Sequence, residues 1–447
     1  MSIPRVVLAG AGSGVGKTVI AAGLMARLSK ERRVQGFKVG PDFIDPMFHT
    51  AATGRPSRNL DSFLLEKGTL QNVFGWASKD ADISIVEGVR GLYDGLTSTA
   101  DVGSTAEIAK YIDAPVILIV NARSLAKSAA AHVLGFKMLD PTVNIKGVIL
   151  NHISNDRHEQ KAVEAVESLT GTEVIGVIRG QKEKLPERHL GLHTLEPHEA
   201  GPVLRKIEDM VAGIDLDRLL AIAESAPERH FDDSSPFPRR SPQGVRIAVP
   251  KDKAYCFYYP ENLEALKAAG AEIVHFRPAD GEKLPDADAI YLGGGYPELY
   301  LYELSTNHDF LEGVKQMSLE GRVVYGECGG LMTLCRAIDD GSEAVEMVGV
   351  FDPVAMMAAG RQGPTYVRAK GTPQNLIMPG REIRAHEFHY SQLSPAPPGP
   401  YAYDVSRGIG FGNGVDGAMV RRTVGTYMHQ HALSSPGWGE GFVNLIE

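Results

Sequence analysis

Apolar residues along this chain fall into short runs that recur at regular intervals. Residues 5–9 (RVVLA) form one such run and lead into a glycine-rich turn, after which apolar positions return at helical spacing at Ile20, Leu24 and Leu28, between Lys17 and about Lys30. The pattern predicts strand, loop and helix. Further runs at Ile83–Val86, Pro115–Val120, Val148–Leu150 and Val174–Ile178 are separated by stretches long enough for a helix. Such alternation predicts a mostly parallel sheet covered by helices. The pattern stops at Ser225–Gly244 (SAPERHFDDSSPFPRRSPQG), which is dense in proline, serine and charge and reads as a linker. It restarts at 246–249 (RIAV), 272–276 (EIVHF), 289–295 (AIYLGGG) and 322–330 (RVVYGECGG). The expected organisation is therefore two α/β domains, residues 1–224 and 245–447, joined by residues 225–244. A length of 447 residues suits two such cores better than one.

Composition narrows the function. A formal net charge of −9 argues against a nucleic-acid partner, because polyanion binding needs a basic face. The 3 cysteines, Cys256, Cys328 and Cys335, are an odd number without metal-ligand spacing, which argues for a reducing compartment rather than a disulfide framework. The chain enters its first strand by Val6 without a charged leader, and it contains no apolar run of about 18 residues. A cytoplasmic enzyme with no membrane partner is expected, and a homodimer is compatible with the sequence.

Two constellations carry chemistry. GAGSGVGKT, Gly10 to Thr18, sits between a predicted strand and a predicted helix, the context a phosphate-binding loop requires. Glycines such as Gly14 and Gly16 let backbone N–H groups converge on phosphate oxygens. Lys17 neutralises the terminal phosphates of ATP, and the Thr18 hydroxyl is a magnesium ligand. The motif places its first glycine at position 11, where Ala11 stands; here the glycine is Gly10. A second magnesium carboxylate belongs at the end of another strand, and Glu87, closing ISIVEG, is the candidate, the alternative being a strand-end surface glutamate. Lys38, Asp42 and Asp45 in FKVGPDFIDP are read as a Gly/Pro-rich loop that either addresses metal and substrate or is simply solvated.

In RVVYGECGG, an apolar strand runs into a turn holding Cys328. A nucleophile on a sharp strand-to-helix turn is held exposed, and the Gly329 N–H is placed to stabilise an oxyanion. Gly294 and Gly295 of LGGGYPE are candidates for the second oxyanion donor. A thiol needs a base, and TYMHQH supplies His429 or His431. His386 and His389 of HEFHY are either a substrate-facing loop or structural histidines.

With these residues in view, the chain resembles the cobyrinate a,c-diamide synthase family over essentially its full length. The resemblance rests on GSGVGKT, FKVGPDFIDP, TGRPSRNLDSF, EGVRGLYDG, PERHLGL, CFYYPENLEAL, YLGGGYPELY, ECGGLM, HEFHYS and YMHQH. It implies a dethiobiotin-synthetase-like ATPase fold joined to a class I glutamine amidotransferase domain. Amidation of the a and c acetates of a tetrapyrrole with L-glutamine as nitrogen donor follows from it, on cobyrinate or, in close relatives, nickel sirohydrochlorin in methanogens. It also implies that Cys328 is the glutaminase nucleophile and His429 its base, with ATP and magnesium on the phosphate loop. The broad class I triad has Glu two places after the histidine, where His431 stands, so the third member is left unassigned. Arg90 stands where the family usually has a hydrophobic residue. With Tyr93 it inclines the reading towards nickel sirohydrochlorin, cobyrinate standing almost level; Arg90 either pairs with a macrocycle carboxylate or is structural. Ammonia in bulk water would be protonated, so an enclosed path to the activated carboxylate is expected. The rival readings are a switch ATPase with a degenerate amidotransferase domain and an amidotransferase of the same build on another carboxylate.

Overall fold

Arg5–Gly10 is buried along its whole length and is flanked by Ile83–Glu87 on one side and Val116–Asn121 on the other. In the computed structural model, which describes residues 3–180, 187–188, 191–192, 197–362 and 366–446, this strand is the centre of the first of two units, Met1–Pro236 and Phe237–Glu447. Of the PERHLGL stretch, Pro186, His189 and Leu190 lie outside the described residues.

The first unit is built on a seven-stranded sheet in the order Arg58–Leu60, Val34–Val39, Ile83–Glu87, Arg5–Gly10, Val116–Asn121, Ile145–Ile153, Glu173–Arg179. Every pairing is parallel. Helices cover the sheet, so its central strands read as continuous apolar runs rather than alternating ones. The helix expected after the glycine-rich turn runs Lys17–Leu28.

Val34–Val39 (VQGFKV) is a strand that the apolar pattern does not announce, because Gln35, Gly36 and Lys38 interrupt it. It is nevertheless fully buried, and its polar groups are bonded. Gln35 Nε2 donates to the Gly36 and Pro56 carbonyls at 2.9 Å each, and Lys38 Nζ donates to Glu87 Oε1 at 2.9 Å. FKVGPDFIDP is therefore a loop only at 40–43, which holds Asp42: Lys38 is on the strand, and Asp45 lies in the first turn of the helix Ile44–Thr53. The register pairs both Leu8 and Lys38 with Glu87. The glycine-rich turn, Lys38 and Glu87 thus lie together at the carboxyl ends of adjacent strands, where open parallel sheets bind ligands.

The second unit carries a ten-stranded sheet in the order Glu272–Phe276, Arg246–Pro250, Ala289–Leu292, Val323–Glu327, Thr423–Thr426, Val415–Val420, Tyr401–Arg407, Tyr366–Gly371, Glu382–His386, His429–Gln430. The pairings are parallel as far as Thr423–Thr426 and antiparallel beyond it. A second sheet joins Ala344–Glu346, Cys335–Asp339, Phe351–Gln362 and His389–Ser394. HEFHY, offered above as a loop, therefore spans the end of one strand and the start of another. Trp438, Phe442, Tyr291 and Tyr325 pack together in the core beside the parallel half.

The proline-rich stretch is fastened rather than free. Arg5 Nη2 donates to the Pro227 carbonyl at 2.7 Å and Phe231 packs edge-on to Phe74, both within the first unit. In the second unit, the Arg240 and Gln243 amides donate to the carbonyls of Ala268 and Gly270 at 2.8 and 3.0 Å.

Candidate functional site

Backbone geometry shapes the phosphate loop of the first unit. A Cβ on Gly10 would lie 2.8 Å from the Gly12 carbonyl oxygen and from Val15 Cγ2, and 2.9 Å from Lys17 Nζ. A glycine one place before its usual position is therefore what this turn requires. Ala11 keeps its amide in the sheet by donating to the Ile119 carbonyl at 2.9 Å, and Gly14 and Gly16 follow with φ of 71° and 94°. Lys17 Nζ lies across the loop and donates to the carbonyls of Gly12 at 3.0 Å and Arg90 at 2.5 Å. Burial and the nearby Lys38 push this ammonium down to about 8.

Beneath the loop is a fully buried carboxylate. Glu87 Oε1 accepts from Thr18 Oγ1 at 2.8 Å and from Lys38 Nζ at 2.9 Å, and its Oε2 lies 2.7 Å from His49 Nε2. The surface reading of Glu87 is thus excluded. Burial acts to raise its pKa, but Lys38 and His49 outweigh that and hold it well below the usual carboxylate range. An ionised Glu87 accepts from a proton on His49 Nε2, and His49 Nδ1 lies 3.1 Å from Ser57 Oγ. His49 and Ser57 were not legible as site residues. Their only signal is position in the polar stretch after FKVGPDFIDP, and His49 faces inward because it lies on the buried side of the helix Ile44–Thr53.

The acids of that segment separate. Asp45 Oδ2 pairs with Lys38 Nζ at 2.6 Å, and burial with the nearby Glu87 drives its carboxyl well up against the pull of Lys38. Asp42 instead accepts from the amides of Ile44 at 3.1 Å and Asp45 at 3.3 Å, shaping the start of the helix. Thr18, Lys38, Asp45 and Glu87 are brought together. A hydroxyl and an ionised carboxylate in contact beneath a phosphate loop are a donor set that fits a divalent cation. Arg90 reaches this group through its carbonyl. Its φ is 48°, and its exposed side chain donates to the Gly95 carbonyl at 3.2 Å. Tyr93 stacks on Phe136 and donates its hydroxyl to that residue's carbonyl at 2.6 Å.

In the second unit, Val323–Glu327 ends abruptly at Cys328, and the helix Gly329–Leu334 starts with the next residue. Cys328 has φ 48° and ψ −100°, a backbone conformation that costs a non-glycine residue about 1–3 kcal/mol and is held here by its amide donating to the Thr426 carbonyl at 2.8 Å. Its Sγ lies 3.8 Å from the Phe388 carbonyl oxygen. A Cβ on Gly329 would fall 3.1 Å from the Gly295 nitrogen, so those two glycines, both named as oxyanion candidates, are neighbours. A Cβ on Gly294 would fall 2.4 Å from His429 Cε1. The glycine segment thus meets the cysteine turn at Gly295 and His429 at Gly294.

The two C-terminal histidines have different surroundings. His429 stacks on His386 at 4.8 Å and presents Nδ1 at 3.9 Å from Glu327 Oε2. Burial, then the proximity of His389, pushes it down to about 3, so it is neutral at pH 7. His431 lies against Tyr259 and places Nε2 3.6 Å from Glu261 Oε2. His386 receives the Tyr259 hydroxyl at 3.1 Å, and His389 Nδ1 meets the Ser391 carbonyl at 2.8 Å, so both are built into the structure. Burial, and secondarily Glu298, pushes the Cys328 thiol well up.

No helix among the described residues is long and apolar enough to cross a membrane. Residues 6–192 match the CobQ/CobB/MinD/ParA nucleotide binding domain, and residues 246–437 the CobB/CobQ-like glutamine amidotransferase domain. The chain is 46% identical over 446 residues to the cobyrinate a,c-diamide synthase of Methanothermobacter thermautotrophicus, covering 98% of each chain. It is 44% identical to that of Methanobrevibacter smithii over 97% of each. Among solved structures it is similar to the MinD cell division protein of Aquifex aeolicus, with TM-score 0.32 and 18% identity over 50% of this chain and 99% of that one. The relatives' identity over nearly the whole length places the chain in the cobyrinate a,c-diamide synthase family, glutamine-dependent amidotransferases of the ligase type.

Proposed function

We propose that this chain converts the a and c acetate carboxylates of cobyrinate into carboxamides, using ATP to activate each carboxylate and ammonia released from L-glutamine at Cys328. The observation that carries the reading is the cysteine turn, which puts a strained Cys328 beside Gly295 and Gly329 while Gly294 abuts His429.

A carboxylate is a poor acyl donor because its leaving group is oxide; transfer of a phosphoryl group from ATP makes that leaving group phosphate. In the first unit, backbone amides of the glycine-rich turn would hold the phosphates, and Thr18 and Glu87 would hold magnesium. Lys17, now bonded to two carbonyls, is the charge that turns to the transferred phosphoryl group. Lys38 and Asp45 lie beside this group, in reach of a substrate carboxylate at the same end of the sheet.

In the second unit, the buried Cys328 is a thiol at rest, and the neutral His429 is the base that takes its proton. The sulfur then attacks the glutamine carboxamide, the amides of Gly295 and Gly329 receive the developing oxyanion, and ammonia leaves with the proton carried by His429. Water hydrolyses the resulting thioester and releases glutamate.

One observation favours a second substrate reading: Arg90, with its guanidinium exposed and its carbonyl on Lys17, stands beside the phosphate loop and would suit a macrocycle with a different set of carboxylates, as in nickel sirohydrochlorin. The test is to incubate the protein with ATP, magnesium and glutamine plus each tetrapyrrole separately and to weigh the products. Addition of two carboxamides to cobyrinate supports the first reading, and faster conversion of nickel sirohydrochlorin selects the second. Glutamine hydrolysis with no mass change on either macrocycle rejects both.

A further inference from the structure

Glu327, the residue immediately before Cys328, is 1% exposed and sits at the end of a core strand. A carboxylate buried this deeply is costly unless its oxygens are satisfied. Its Oε1 accepts from the Tyr325 hydroxyl at 3.1 Å and from the Gln430 amide at 3.2 Å, and its Oε2 accepts from the Tyr291 hydroxyl at 2.9 Å. The remaining approach to Oε2 is taken by His429 Nδ1 at 3.9 Å. Tyr291 and Tyr325 are themselves fully buried and packed against Trp438 and Phe442, so the carboxylate is aimed by rigid groups rather than by a mobile side chain.

From this geometry we infer that Glu327 is the positioning residue of the glutaminase, directing His429 so that Nδ1 carries the proton and Nε2 is the nitrogen that receives the Cys328 proton. The inference rests on the reading of Cys328 and His429 as nucleophile and base. Three donors to one carboxyl leave it an acceptor towards His429, which selects the Nδ1–H tautomer. Contraction of the 3.9 Å gap when the imidazole becomes positively charged gives the transition state an ion pair that the resting state lacks. Burial pushes the Glu327 carboxyl up to about 8 against the pull of the Gln430 amide and the two tyrosines, so in this pocket its ionised form calls for a cation beside it, which His429 becomes when it takes the Cys328 proton. The other titratable groups facing the pair are His386 and His431 across the stacked rings, His389, Tyr259 and Glu261, Glu298 and Asp416 near the thiol, and the two tyrosines. Glu327 lies at ion-pair distance from His429.

The experiment compares Glu327→Gln and Glu327→Asp for glutamine hydrolysis, and measures glutamine affinity calorimetrically for each in a Cys328→Ala background. Expected is a fall in kcat of about 10²-fold for Glu327→Gln with KM and glutamine affinity near wild type. The limb of kcat/KM that rises as Glu327 ionises, at about pH 8, should be lost in Glu327→Gln, because the glutamine has no proton to give up. Glu327→Asp should restore at least a tenth of kcat and the original limb. Wild-type kcat in Glu327→Gln, or a retained limb, overturns the inference, as does loss of glutamine affinity in both variants, which would make Glu327 merely structural. If Glu327→Gln does not fold, an Asp variant as impaired as the Cys328→Ala protein overturns it equally. Unimpaired glutamine hydrolysis by Cys328→Ala alone would instead remove the reading on which the inference stands.

Discussion

Thr18 Oγ1 donates to Glu87 Oε1 across 2.8 Å, joining the first turn of the helix after the phosphate loop to the end of the neighbouring strand. On the proposed reading both groups would hold magnesium beside the nucleotide phosphates, and the carboxylate is kept ionised by Lys38 and His49. Glu87→Gln keeps the size but removes the charge. Magnesium should then no longer tighten ATP binding, and amidation should fall by about 10²-fold or more with glutamine and ammonium alike. Titration of ATP with and without magnesium, alongside product mass, checks both. An unchanged magnesium effect would return Glu87 to a purely structural role with Lys38 and His49.

The two units make separable contributions if Cys328 serves only to release ammonia. Cys328→Ala should lose glutamine-supported amidation by at least about 10³-fold, as expected when a covalent nucleophile is removed. With a high concentration of ammonium salt it should retain amidation and ATP consumption near wild-type rates. Loss of both activities in a variant that still binds ATP would show that the cysteine turn does something besides supplying ammonia.

Legibility in the sequence followed apolar continuity. Arg5–Gly10, Val116–Asn121 and Ala289–Leu292 announced themselves because each holds an unbroken apolar run, VVLA, VILIV and AIYL. Val34–Val39 did not, because Gln35 and Lys38 are polar for reasons that exist only in the fold: a turn at Pro56 and the carboxylate of Glu87. The antiparallel half of the second unit was missed for a related cause. Strands such as Tyr366–Gly371 and Glu382–His386 alternate buried and solvated residues and look like loops when read for apolar runs. At the sites, Lys17, Thr18, Cys328 and the glycines were legible because phosphate loops and nucleophile turns have fixed local spacing. His49 and Glu327 were not, since what singles them out is a partner distant in sequence or a neighbour on another strand.

His389 gives a stability prediction with a definite sign. Its Nδ1 is committed to the Ser391 carbonyl, its ring stacks on Tyr427 at 3.8 Å, and burial pushes it down to about 4 from an ordinary value of 6.5. The folded protein therefore binds fewer protons than the unfolded chain between those two values. The associated stability is fully present above pH 6.5 and is lost as pH falls towards 4, by on the order of 3 kcal/mol for this one group. His389→Gln removes the titration. Urea denaturation at pH 7 and pH 4.5 should show the wild type losing more stability than the variant on acidification. An equal loss would mean that His389 is protonated in the folded state.

Gly294 tests whether the close approach of the glycine segment to His429 matters. A Cβ there would approach His429 Cε1 to 2.4 Å and Phe257 Cβ to 3.3 Å, and the Gly294 backbone does not lie in the left-handed region, so alanine meets a steric obstacle but no conformational one. Either the imidazole or the glycine segment must move. Overpacking of this kind costs about 1–3 kcal/mol, which a unit with this much buried apolar surface should survive. Displacing a base by about 1 Å, however, costs on the order of 10²-fold in rate. Gly294→Ala should therefore hydrolyse glutamine about 10²-fold more slowly while retaining ammonium-supported amidation, because the phosphate loop lies in the other unit. Wild-type glutamine turnover in the alanine variant would mean that His429 has room to retreat without losing its proton-transfer geometry, and that the glycine at 294 serves the backbone pairing with Phe257 rather than the base.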